Sequence, residues 1–120
     1  KVFYELHIGT FTEAGTFDAA IDQLDHLVEL GVDVVEVMPV SAFPGEFGWG
    51  YDGVSLYATQ EIYGGPDGFL RFVDAAHERG LAVCLDLVLN HFGTVGNYIA
   101  PIDDYYSARH ETPWGPAFDL

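Results

Sequence analysis

One cysteine, Cys84, is all that 120 residues contain, which excludes an internal disulfide framework and a Cys-based zinc site. Basic side chains are nearly as scarce: 4 Lys and Arg stand against 19 Asp and Glu, for a formal charge of −15. With so few cations available to neutralise phosphates, nucleic acid is excluded as a partner. No apolar run approaches the roughly 18 residues that a spanning helix needs, and no signal-peptide pattern follows Lys1. A membrane partner is therefore not expected, and the expected location is the cytoplasm. What is plentiful is apolar and aromatic side chain, 49% and 15% of the chain. That is too much for a disordered acidic tail and predicts a globular piece of one domain or less.

The apolar residues change period along the chain. Residues 2–8 alternate loosely up to Gly9-Thr10, as a strand does. From Thr16 onward Phe17, Ala20, Ile21, Leu24, Leu27 and Val28 recur at the spacing of one helical face, with Asp18, Asp22, Asp25 and Glu29 opposite. Thr16 fits an N-cap, and Gly31 the stop. Residues 32–38, nearly continuous in valine, read as a strand buried on both faces, and Pro39 ends it. The pattern then repeats. Gly65-Pro66 opens a helix with Phe69, Phe72, Val73 and Ala76 as its stripe, Gly80 closes it, and residues 81–89 read as a third buried strand. Even the junction recurs, Glu29-Leu30-Gly31-Val32 returning as Glu78-Arg79-Gly80-Leu81.

Buried strands separated by amphipathic helices imply right-handed crossovers and a parallel sheet. Three such strands leave edges and apolar surface uncovered. A doubly wound nucleotide-binding sheet would require a glycine-rich turn directly after the first strand. Here Gly9 and Gly15 are separated by Phe11 and Glu13, which is no phosphate cradle. The fold class expected is α/β, an incomplete (β/α)8 TIM barrel. Residues 1–120 would be its N-terminal portion, three parallel strands and two helices with no second domain, and five strands would follow Leu120. A complete barrel takes about 250 residues.

The segments leaving the strands, residues 39–65 and 91–120, are long and rich in Trp, Tyr, Phe, Gly and Pro. Ligands of parallel α/β folds bind at this end of the sheet. Two clusters stand out there. In Asp86-Leu87-Val88-Leu89-Asn90-His91, strand periodicity puts Asp86 and Asn90 on one face at the barrel mouth, with His91 at the rim. A carboxylate buried there requires an Arg or several donors from a neighbouring strand. The cluster either cradles substrate or ties the following loop down. In Trp49-Gly50-Tyr51-Asp52-Gly53, the rings offer flat apolar faces with polar tips, suited to stacking on sugar rings or to wedging the loop against the barrel.

The remaining candidates read as structural. His26 and His77 fall on solvated helix faces, His7 as a hydrogen-bonded residue near the end of the first strand, and Cys84 as inert core. Asp86, Asn90 and His91 are too few oxygen donors for a hard cation, so no metal is assigned.

Asp86-Leu87-Val88-Leu89-Asn90-His91 resembles the first signature region of the α-amylase superfamily, glycoside hydrolase family 13. Trp49-Gly50-Tyr51-Asp52 resembles the loop after that family's second strand. Tyr4-Glu5-Leu6-His7-Ile8-Gly9-Thr10-Phe11-Thr12, Glu36-Val37-Met38-Pro39, Tyr63-Gly64-Gly65-Pro66 and Thr112-Pro113-Trp114-Gly115 narrow the resemblance to the branch that releases trehalose from maltooligosyl trehalose. Glycogen branching enzymes are the near alternative.

The resemblance implies a retaining hydrolase of the α-1,4 bond next to the trehalose end, needing no cofactor. Its partners would be an α-glucan oligosaccharide and the rest of its own barrel. It implies substrate binding by Trp49, Tyr51, Asp52, Asp86, Asn90 and His91. Tyr51 would stack under the sugar on the non-reducing side of the scissile bond, and His91 would bond that sugar's primary hydroxyl. Asp86 would brace an Arg, and Asn90 would hold the following loop. The family's catalytic carboxylates follow its fourth, fifth and seventh strands, and none of the 19 acidic residues here lies in a matching motif. No catalytic residue is assigned, and the chain alone is expected to be inactive. A non-catalytic sugar-binding barrel is the reading of another class.

Overall fold

The computed structural model describes residues 1–99, 101, 102 and 104–119. Strands β1 (Phe3–Leu6), β2 (Val34–Val37) and β3 (Ala82–Leu85) form a parallel sheet in the order of the chain. Its register sets Glu5 beside Glu36 and Glu36 beside Cys84, so these three side chains share one face. The opposite face carries Leu6, Val35, Val37, Val83 and Leu85, which pack with the helices into a single core. Helices cover only this face. A doubly wound sheet has them on both, so sequential parallel strands with a one-sided helical layer make an arc of a (β/α) barrel.

The helical layer comprises α1 (Ile8–Phe11), α2 (Phe17–Ile21), α3 (Leu24–Glu29) and α4 (Gly65–Glu78). Thr16 caps α2 as the sequence predicts, its hydroxyl accepting the Ala19 N–H at 3.2 Å. The helix expected to run on from there is broken at Asp22-Gln23. The Gln23 N–H bonds the Ala20 carbonyl three residues back, a tightened turn that still leaves Phe17, Ala20, Leu24 and Leu27 fully buried. Val28, at the edge of the expected stripe, is exposed. Phe17 is the keystone of the layer, with its ring 6.1 Å from Tyr63, 5.4 Å from Phe69 and 6.0 Å from Phe72.

Three further expectations are corrected. The first strand ends at Leu6, because His7 turns the chain into α1 and buries Ile8 among the helices. The paired part of the third strand stops at Leu85. Its partner leaves the sheet at Pro39, so the Asp86 N–H to Val37 carbonyl bond, 2.9 Å, is the last rung. Cys84 lies with Glu5 and Glu36 on the sheet face away from the helices, which a closed barrel turns to its interior and which no element of this chain covers. The segment after β3 also holds an antiparallel hairpin, β4 (Tyr106–Thr112) and β5 (Gly115–Phe118), where only a loop was expected.

Among the described residues no helix is long and apolar enough to cross a membrane.

Candidate functional site

Where β2 and β3 end, the long segments that follow them face each other across a cleft of about 680 Å³. Tyr51, Asp52, Asp86, Asn90, His91 and Trp114 contribute to its wall. Five of the six residues singled out in the sequence therefore meet in one place. The sixth, Trp49, does not reach it. Its ring stacks on His7, 6.1 Å away at 26°, and lines a smaller neighbouring hollow.

The loop carrying Tyr51 is held by specific bonds rather than by bulk packing. Ser41 and Thr59 form an antiparallel bridge at its neck, and the Gln60 side-chain amide donates to the Phe43 carbonyl at 3.0 Å. His7 Nε2–H donates to the Gly48 carbonyl at 2.9 Å, and the Tyr63 hydroxyl reaches the same oxygen at 3.2 Å. Gly50 turns the chain at φ +89°, so tightly against the Pro39 carbonyl that a Cβ would overlap it. From the other side, the Gly93 N–H donates to the Gly53 carbonyl at 3.0 Å, and a Cβ on Gly93 would overlap the Asp52 carbonyl. This clasp brings Tyr51 to Asp86.

The Tyr51 hydroxyl donates to Asp86 Oδ2 at 2.8 Å. Burial, that hydrogen bond and the negative charges of Asp86, Glu5 and Glu36 push the phenol up to about 12. Tyr51 thus stays a donor throughout the physiological range, with its ring fixed against the carboxylate. Within this chain the donor to Asp86 is this phenol from the neighbouring loop, and the carboxylate is half-buried. Two of the three arginines are engaged elsewhere, Arg71 with Asp18 and Arg79 with Asp25.

Asn90 lies beyond the ladder, so its place in the cleft comes from the path of the loop and not from strand alternation. Its Oδ1 lies 2.6 Å from His91 Nδ1. An amide oxygen only accepts, so Nδ1–H is the donor in this pair and Nε2 is left to face other partners. The His91 ring is buried, under the exposed Trp114 at 5.8 Å and 30°. The hairpin turn presents that tryptophan. The Thr112 hydroxyl donates to the Gly115 carbonyl at 2.8 Å and accepts the Trp114 N–H at 3.2 Å. Trp114 was not among the expected site residues. The signal that could have found it was an aromatic set between proline and glycine, the same kind of context that drew attention to Trp49 and Tyr51.

A polar-edged, aromatic-walled cleft at the C-terminal ends of parallel strands, behind Asp86-Leu87-Val88-Leu89-Asn90-His91, agrees with what comparison with known proteins finds. Residues 6–113 match the alpha amylase catalytic domain. The chain belongs to the alpha-amylase family.

Among alpha-amylase family relatives, malto-oligosyltrehalose trehalohydrolase of Saccharolobus solfataricus is 55% identical over 99% of this chain and 21% of its own length. That of Arthrobacter ramosus is 56% identical, again over 99% of this chain and 21% of its own length. The 1,4-alpha-glucan branching enzyme of Mesorhizobium japonicum is 40% identical over 92% of this chain and 16% of its own. In three dimensions the chain superposes on the crystal structure of a Salmonella typhimurium protein assigned to the alpha amylases. The TM-score is 0.91 and the identity 57%, over 98% of this chain and 20% of that one. The alpha-amylase of Geobacillus thermoleovorans shares the fold alone, with TM-score 0.84 at 19% identity over 99% of this chain and 33% of that one. The chain thus spans about a fifth of the length of the trehalohydrolases it matches.

Among the described residues no group of three or more His, Cys, Asp or Glu is placed to hold a metal ion.

Proposed function

We propose that residues 1–120 are the N-terminal portion of the catalytic barrel of a retaining α-glycosidase. The enzyme hydrolyses the α-1,4 bond next to the trehalose end of maltooligosyl trehalose and releases trehalose. The observation that carries this reading is the single cleft shared by Tyr51, Asp86, Asn90, His91 and Trp114. Its support is the identity of 50–57% to six trehalohydrolases along nearly the whole chain.

In this reading the residues present here bind and orient. Tyr51, locked by Asp86, lies flat under a sugar ring next to the scissile bond. His91 offers Nε2 to a sugar hydroxyl because Asn90 holds the proton on Nδ1, and Trp114 closes the wall opposite. Asp52 takes a hydroxyl at the cleft's edge, and Trp49 acts from the neighbouring hollow. Retaining hydrolysis needs a nucleophilic carboxylate and an acid/base about 5–5.5 Å apart. By resemblance both follow later strands of the barrel, so this part positions sugar while the rest of the barrel breaks the bond. A cytoplasmic location belongs to the same proposal.

The test is product analysis on the full-length parent protein. Incubated with maltooligosyl trehalose, it is expected to release free trehalose, whereas the isolated 120-residue chain releases none. New α-1,6 branch points in place of trehalose would move the assignment to a branching enzyme. Sugar binding without turnover would move it to a non-catalytic barrel.

A further inference from the structure

Two stretches that stand out in the sequence, residues 4–12 and 63–66, contribute nothing to the cleft wall. They converge instead on one oxygen atom of the loop that carries Tyr51. The His7 Nε2–H and the Tyr63 hydroxyl, 56 residues apart in the chain, both point at the Gly48 carbonyl, at 2.9 and 3.2 Å. A carbonyl oxygen has two lone pairs, so both donors fit it at once. The two side chains also touch, with the Tyr63 hydroxyl 3.0 Å from Nε2 and the rings edge to face at 5.9 Å.

This pair is fastened to the frame of the fold. Tyr63 is buried, its ring 5.8 Å from Phe43 and 6.1 Å from Phe17. The Thr10 hydroxyl holds His7 Nδ1 at 3.1 Å. Gly9 is the seat of both rings, since a Cβ there would come within 2.9 Å of the His7 ring and 3.0 Å of the Tyr63 ring. The loop itself has few such ties. Among the described residues, the Gly48 carbonyl is the one backbone group in 44–52 that is hydrogen-bonded to another part of the fold.

We propose that His7 and Tyr63 are positioning residues for Tyr51, a two-donor latch on the Gly48 carbonyl that sets the loop in its binding conformation before sugar arrives. The inference rests on the sugar-binding reading of the cleft and adds what holds its aromatic wall ready. One donor keeps the carbonyl paired. Losing both strands a half-buried oxygen, which costs more than the loss of either bond. The loop then occupies its binding conformation only part of the time. Apparent affinity falls by that fraction, while saturating substrate restores the full rate.

The experiment uses the full-length parent protein and its His7→Leu, Tyr63→Phe and double variants. Trehalose release from maltooligosyl trehalose is one readout, and chymotryptic nicking after the exposed Phe47 is the other. Each single variant should raise KM by about twofold or less and the double by about tenfold or more, with kcat within about twofold of the parent. Nicking should quicken by about the same factor as KM rises. Gly9→Ala keeps both donors but displaces their rings, and it should behave as the double variant. His7→Gln in the Tyr63→Phe background restores an N–H donor and should bring KM back. A rise in KM for the double variant no greater than the product of the single rises would overturn the shared latch. So would a fall in kcat at unchanged KM, which is what loss of folded enzyme gives, or nicking at the parent's rate. If the parent releases no trehalose, the proposed function fails, and nicking after Phe47 still decides the latch.

Discussion

Gly93→Ala tests whether the clasp between the two long segments builds the cleft. The Gly93 N–H to Gly53 carbonyl bond is 3.0 Å long, and a methyl at residue 93 would overlap the Asp52 carbonyl. Because the obstacle is backbone, no side chain can swing aside, and one segment must move by about 1 Å or more to restore ordinary contact. The clasp bond, worth about 0.5–1.5 kcal/mol, is lost, and forcing a methyl into packed backbone costs about 1–3 kcal/mol. The sum is roughly 2–4 kcal/mol. In a protein about five times the length of this chain that is a fall in Tm of roughly 2–3 °C, read by scanning calorimetry of the full-length parent. Asp52 is next to Tyr51, so the same movement stretches the 2.8 Å bond from Tyr51 to Asp86 past hydrogen-bonding range. A misplacement of this size costs about a hundredfold in kcat/KM for trehalose release. Tyr51→Phe removes the hydroxyl and leaves the clasp, so it should lower kcat/KM while barely moving Tm. A Gly93→Ala protein with the parent's Tm and kcat/KM would refute the reasoning.

Tyr51 also predicts a pH signature. Its phenol is pushed up to about 12 from an ordinary value of 10, so the folded state holds the proton more tightly than the unfolded one. The stability tied to it is complete below pH 10 and is lost as the pH rises from 10 to 12. Tyrosinate absorbance at 295 nm should show a late-titrating tyrosine that Tyr51→Phe abolishes and Asp86→Asn moves to lower pH; an unchanged late phase in both variants would count against the pairing. Phe17→Ala removes the ring that touches Tyr63, Phe69 and Phe72 and is fully buried. It should cost about 3–5 kcal/mol in denaturant unfolding of the parent, and a loss under 1 kcal/mol would show that the helical layer is not packed around it.

The alternation of strand and helix was legible in the sequence because it is local. Phe17, Ala20, Leu24 and Leu27 define a face by spacing alone, and the valines of β2 declare a strand buried on both sides. Even the cap at Thr16 needs only its own neighbours. The motifs behind Tyr51 and Asp86 were readable for the same reason, as short runs whose residue types carry their chemistry. Strand and helix ends were less readable, since they depend on partners. β3 stops pairing because β2 turns away at Pro39, a residue far from it in sequence, and the break after Ile21 still keeps Phe17 and Leu24 against one core.

The site itself was decided by tertiary structure. Tyr51 and Asp86 are 35 residues apart, and nothing in either segment announces that the phenol of one bonds the carboxylate of the other. Trp114 reaches His91 only because an unforeseen hairpin folds back over the cleft, and Trp49 parts from Tyr51 only because Gly50 turns the chain between them. Cys84 shows the same limit from the other side. Its strand was readable, yet which face of the sheet it takes is set by where the helices pack, on the side away from it. Side-chain periodicity is a property of neighbours along the chain, whereas a cleft is made by segments that meet only after the sheet has brought their ends together.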